Sequence, residues 1–84
     1  MSLDLINIIF GMKVRQARLE AGLTLSDLAR HSELSPSYLT EIEKGRKYPR
    51  ADKIVKMAGA LGKQYDDLVS IKMAPSWRYL ESTL

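Results

Sequence analysis

The sequence contains no cysteine, so neither disulfides nor thiolate metal sites can supplement its core. That composition suits a reducing compartment, and a cytoplasmic location is expected. Only one histidine, His31, is present, and no combination of residues supplies a nucleophile, its base and an orienting group. Enzymatic chemistry is therefore not expected, and no metal site is expected either. Asp66 and Asp67 are adjacent and point different ways on a helix, which disfavours paired-carboxylate chemistry. "GALGK" at 59–63 lacks the length and the Ser/Thr of a phosphate loop, so it reads as a helix end and no cofactor is expected. Long apolar runs are also missing. The longest near the start, Ile8 to Phe10 with Leu5 and Ile6 before it, is interrupted by Asn7 and has neither a basic leader nor a small-residue cleavage pattern. Neither a signal peptide nor a membrane span is expected. No stretch alternates with period two, and neither an internal repeat nor a low-complexity linker is found.

What the sequence does have is helical punctuation. Its 84 residues allow one small domain with a thin core, and a content of 45% hydrophobic against 27% charged residues is enough to fold it. From Ile6 the apolar residues Ile6, Phe10, Val14 and Ala17 recur at helical spacing, and Gly22 supplies a stop. Thr24 followed by Asp27 resembles a capping box, with Leu25, Leu28 and Ala29 as the inward stripe of a second helix. In a third, Ser35 can cap, Pro36 occupies the first turn where its missing N–H costs nothing, Leu39 and Ile42 face inward, and Gly45 follows the last turn. A fourth is expected over 51–61, with Ile54, Val55, Ala58 and Leu61 inward and Gly62 as its stop. A short fifth is expected over 66–72. The fold class is therefore all-α, a compact five-helix domain, with Ser76 as the cap of an extra short C-terminal helix after Pro75.

Net charge is only +3, but its distribution is uneven. Between Lys44 and Lys56 six cations stand against the single acid Asp52, so this stretch carries +5 and the remainder −2. The plain alternative for such a run is a solvated face. Just before it, however, the inward turn of Leu39 and Ile42 sends Ser37, Thr40, Glu41 and Lys44 outward together. That face is small and polar at its N-terminal end, suited to a DNA major groove, with a basic loop beyond it to meet phosphates. The two helices at about 24–31 and 35–44 are joined by only three residues and are expected to cross steeply.

In residues 11–68 the matches fall in a set order: "R-x-x-x-G-L-T" at Arg18 to Thr24, "LA" at Leu28 and Ala29, "LS" at Leu34 and Ser35, "I-E-x-G" at Ile42 to Gly45, Pro49, and "A-x-x-A-L-G" ending at Gly62. This pattern resembles the Xre-type helix-turn-helix domains of phage repressors, Cro and many bacterial regulators. The resemblance implies a repressor-like DNA-binding domain over 1–72, with the helix-turn-helix proper at about 24–44 and a tail at 73–84. It makes 35–44 the recognition helix, with Pro36, Ser37, Thr40 and Glu41 at base-contacting positions. Glu41 could accept from a cytosine amino group or reject wrong sequences by repulsion. For Ser37 and Thr40 the plain alternative is ordinary exposed helix surface. Ser35, Tyr38, Lys44, Arg46, Lys47, Arg50 and Lys53 are the phosphate-contact candidates, with Arg46, Lys47 and Arg50 foremost; Tyr38 could instead pack on its neighbour. The resemblance also implies an ion pair between Arg18 and Glu43, against two independent surface charges as the alternative. His31 reads as a structural cap or a phosphate contact.

Two departures from the family pattern stand out. Leu25 occupies a place where glutamine is common, and Glu33 one where the turn usually has glycine in a left-handed conformation. The resemblance implies double-stranded DNA as partner and a homodimer as the binding species. The rival reading is an antitoxin or other protein-interaction module on the same fold. For Trp77, Leu80 and Leu84 three roles are open: packing on the domain's own core or first helix, a dimer contact with Leu3, Ile6 and Phe10, or a lead into a further domain.

Overall fold

A computed structural model describes residues 4–70 of the chain. They form five helices: α1 (Leu5–Glu20), α2 (Leu25–Ser32), α3 (Pro36–Glu43), α4 (Ala51–Leu61) and α5 (Tyr65–Val69). The expectations for Leu3, for residues 71–72 of the fifth helix and for the tail 73–84 with Ser76, Trp77, Leu80 and Leu84 lie outside the described residues.

Local chemistry sets the helix limits. The carboxylate of Asp4 accepts from the Asn7 N–H at 3.3 Å and starts α1. At its other end Gly22 is left-handed (φ 72°), which lets the Leu23 N–H reach back to the Arg18 carbonyl at 3.0 Å. α2 opens with a complete capping box. Thr24 Oγ1 accepts from the Asp27 N–H, and the Asp27 carboxylate accepts from the Thr24 N–H, each at 3.0 Å. That backbone bond, ahead of the Thr24 hydroxyl and the Arg30 charge, holds the Asp27 carboxyl below the usual aspartate value. α3 has Ser35 accepting from the Tyr38 N–H at 3.1 Å and Pro36 in its first turn. α4 has no side-chain cap and stops at left-handed Gly62.

Phe10, Val14, Leu28, Leu39, Ile42, Ile54, Met57 and Leu68 form the centre of one core. α1 packs on α3 and α5, α2 on α3 and α4, and α4 on α5. Two inward assignments need correcting. Ile6 is exposed: it lies on the right face of α1, but its first turn runs past the neighbours that bury Phe10 and Val14. Val55 is exposed and Met57 is fully buried instead, because 54, 57, 58 and 61 define the narrower helical arc. Leu25 keeps its inward place, half-buried and packed against the core. The fifth helix starts at Tyr65 and ends at Val69, with Ser70 already extended.

Candidate nucleic-acid interface

α3 is held in place from behind by two contacts of different kinds. The first is a close backbone approach at Gly11, midway along α1. A Cβ atom there would overlap the carbonyl oxygen of Ile42 and stand 3.0 Å from that of Glu43, so only glycine lets the end of α3 come this near. One turn further on, left-handed Gly45 (φ 78°) lies against Ile8 in the same way, with Ile8 Cγ1 2.9 Å from where its Cβ would be. The second contact is ionic. Arg18 Nε and Nη2 donate to the two carboxylate oxygens of Glu43 at 2.7 and 3.1 Å, while Nη1 donates to the Leu23 carbonyl at 3.0 Å. The two side chains are only 12% and 9% exposed, so this fork is largely shielded from solvent. The hydrogen bond to Glu43, opposed by burial, raises the Arg18 guanidinium above its already high value.

The turn before α3 carries Glu33 in the left-handed region (φ 60°), the sole non-glycine residue with positive φ among the described residues. Its carboxylate extends into solvent with Lys56 Nζ at 3.8 Å. Ser32, ahead of it, is buried and donates its hydroxyl to the Leu28 carbonyl at 2.6 Å.

On the outward side, Pro36 and Ser37 are exposed and Thr40 and Glu41 half-exposed. The Thr40 hydroxyl donates to the Pro36 carbonyl at 2.9 Å, which leaves its lone pairs and its methyl group to meet a base edge. Ser35 Oγ accepts from the Tyr38 N–H and shares a 3.5 Å hydrogen bond with Ser37 Oγ, in which either hydroxyl can donate. Ser35, Tyr38, Arg50 and Lys53 come together around a shallow groove of about 450 Å³, completed by Glu33 and Leu34. Lys47 Nζ sits 5.7 Å above the Tyr38 ring, and Tyr38 is itself partly buried against the core, so it serves as both support and surface.

The cations of the basic stretch divide into two groups. Arg46 is paired with Glu41 at 3.0 Å, Arg50 lies 3.6 Å from Asp52, and Lys56 belongs to Glu33. Lys44, Lys47 and Lys53 have no ion-pair partner among the described residues. Two of the three foremost phosphate candidates, Arg46 and Arg50, are therefore already engaged, and Lys44 and Lys53 join Lys47 as the open charges. Sequence reasoning missed Gly11 and the Glu41–Arg46 pair. A glycine inside an apolar helix was the available signal for the first; the second spans five residues and depends on the Gly45 turn. Leu25 packs at the core edge and offers no polar group. His31 is exposed in the last turn of α2.

Comparison with known proteins agrees with this architecture. The family model described as "Helix-turn-helix" matches residues 14–68. The chain is 38% identical over 65 residues to the control protein C.BamHI of Bacillus amyloliquefaciens, a match covering 76% of this chain and 80% of that one. It is 39% identical over 59 residues to the immunity repressor protein of Bacillus phage phi105, covering 70% of this chain but only 41% of the repressor. Among solved structures, the restriction-modification controller protein C.AhdI from Aeromonas hydrophila superposes with a TM-score of 0.75 at 31% identity. That match covers 77% of this chain and 98% of the controller.

Proposed function

The chain belongs to the helix-turn-helix family, and from that premise we propose that it is a sequence-specific DNA-binding regulator of transcription, acting as a repressor in the cytosol. α3 reads the major groove through Pro36, Ser37, Thr40 and Glu41, and Ser35, Tyr38, Lys44, Lys47 and Lys53 meet the flanking phosphates. Arg50 reaches the backbone from beside Asp52, while Arg46 is held at the end of α3 by Glu41. The observation that carries this reading is the fixing of α3 from behind, by Gly11 and by the Arg18–Glu43 fork, while its front is polar and bordered by open lysines. A side chain that must find one base edge gains from a support that does not move. The polar front also weighs against α3 as the docking surface for a protein partner, which an antitoxin-like role would require. The names of the relatives, a control protein and an immunity repressor, support regulation of transcription.

The binding species is a homodimer on a two-fold site. Its half-sites then lie about one helical turn, roughly 34–36 Å, apart. Selection from a pool of random duplexes tests this directly. Enrichment of two inverted half-sites about 10 base pairs apart is expected. A pool that stays random through successive rounds would refute sequence-specific recognition, and enrichment of a single unrepeated half-site would refute the dimer.

A further inference from the structure

We infer that Glu41 and Arg46 form a single charge-compensated reading unit, in which Glu41 aims Arg46 and sets sequence choice while the pair adds nothing to salt-dependent attraction. This inference rests on the DNA-binding reading above and assigns the division of labour within it.

Three observations carry it. Arg46 is tied to Glu41 twice, since its backbone N–H donates to the Glu41 carbonyl at 2.9 Å and its Nη1 to the Glu41 carboxylate at 3.0 Å. Among the described residues this is the shortest of the exposed ion pairs; the others measure 3.4 to 3.8 Å. The turn that makes the double tie is closely packed, because left-handed Gly45 lies against Ile8 of α1 with no space for a side chain. The Arg46 backbone is therefore held close to the body of the domain, and Glu41 gives its exposed side chain a direction that the open lysines lack.

The chemistry follows from what the pair leaves unused. A guanidinium has five N–H donors in a planar fork, and the carboxylate occupies one of them. The remaining Arg46 donors project outward, since the side chain is 61% exposed, and the second Glu41 oxygen stays open as an acceptor. Donor and acceptor thus stand side by side at the C-terminal end of the recognition face. This arrangement can take a purine acceptor and a neighbouring amino group together. Removing either charge spoils both functions at once: a lone glutamate repels phosphate, and a lone arginine attracts any phosphate. In electrostatic terms the pair enters the interface neutral, so the counterions released on binding come from Lys44, Lys47, Lys53 and the other basic groups.

The test uses the full chain with Glu41→Gln, Arg46→Gln and both together. Binding to a random duplex and to a selected duplex is followed by anisotropy across a salt series. Both side chains face solvent, so circular dichroism and melting of each variant should match the parent. Glu41→Gln alone is expected to steepen the log K against log salt slope by about 0.9 per bound protomer, and Arg46→Gln to flatten it by the same amount. The double variant is expected to keep the parental slope while its preference for the selected duplex falls at least about tenfold. A double variant whose slope is flatter by about 0.9 per bound protomer, as for an independent Arg46–phosphate contact, overturns the inference. So does an undiminished preference. Failure of the parent protein to bind either duplex would instead overturn the DNA reading on which the inference stands.

Discussion

Replacing Gly11 with alanine should destabilise the domain, although alanine is the better helix former. In an open helix the exchange would gain about 1 kcal/mol. Here the new methyl group would overlap the Ile42 carbonyl oxygen and press on that of Glu43. The obstacle is backbone, and it belongs to the turn that carries the buried Arg18–Glu43 fork, so no side chain can rotate aside. Overpacking of this kind costs about 1–3 kcal/mol, and a rigid obstacle belongs at the upper end, leaving a net loss of about 1–2 kcal/mol. For a domain of this size that corresponds to a fall of roughly 5–15 °C in melting temperature. Gly59 provides the internal control. It is also helical, yet a Cβ there meets nothing within 4 Å, so Gly59→Ala should gain about 0.5–1 kcal/mol. Thermal unfolding followed by circular dichroism distinguishes the two substitutions, which should move in opposite directions. A Gly11→Ala variant as stable as Gly59→Ala would refute the argument that α3 is seated by close backbone contact.

Other consequences concern the turn, the fork and the cap. Glu33→Gly should leave stability unchanged or raise it by up to about 1 kcal/mol in urea unfolding, because glycine relieves the left-handed conformation and the Lys56 contact is long and exposed; a loss above about 1 kcal/mol would contradict this. Removing one member of the shielded Arg18–Glu43 pair, as in Glu43→Ala, should cost about 3 kcal/mol, and a double-mutant cycle with Arg18→Ala should return a favourable coupling; additive effects would show two independent charges. Asp27 has a depressed folded-state pKa, so the stability it contributes is present above the ordinary aspartate value and is lost as pH falls through the lower folded value. Asp27→Asn should therefore flatten the acid side of the pH–stability profile, and an unaltered profile would show that the cap bond does not couple to folding.

Much of the fold was legible because its punctuation is chemical. Thr24 with Asp27, Ser35 with Pro36, and glycines at 22 and 62 each mark a helix end by a local requirement that any neighbour must respect. Burial was less legible. Periodicity defines a face but not how far along the helix a neighbour extends, which is why Ile6 is exposed although it shares the stripe of Phe10. On α4 the sequence offered Val55 and Met57 on either side of one arc, and the more hydrophobic β-branched residue drew the assignment that geometry gives to Met57. At the interface, the recognition helix and the basic stretch could be read from residue types. Their partition into paired and open cations could not, because Glu41 meets Arg46 only through the Gly45 turn and Lys56 meets Glu33 across two helices. Gly11 was hidden for a similar reason: a glycine within a helix announces weakness, and only the approach of α3 reveals its purpose.

The central claim, that this face binds the DNA backbone while α3 reads its bases, is tested most directly by fluorescence anisotropy of a labelled mixed-sequence duplex at about 50 and 200 mM salt. If each of the three open lysines neutralises one phosphate, affinity should fall roughly 40-fold per protomer across that range. Binding that changes less than about twofold with salt, or no binding at either salt, would contradict the account.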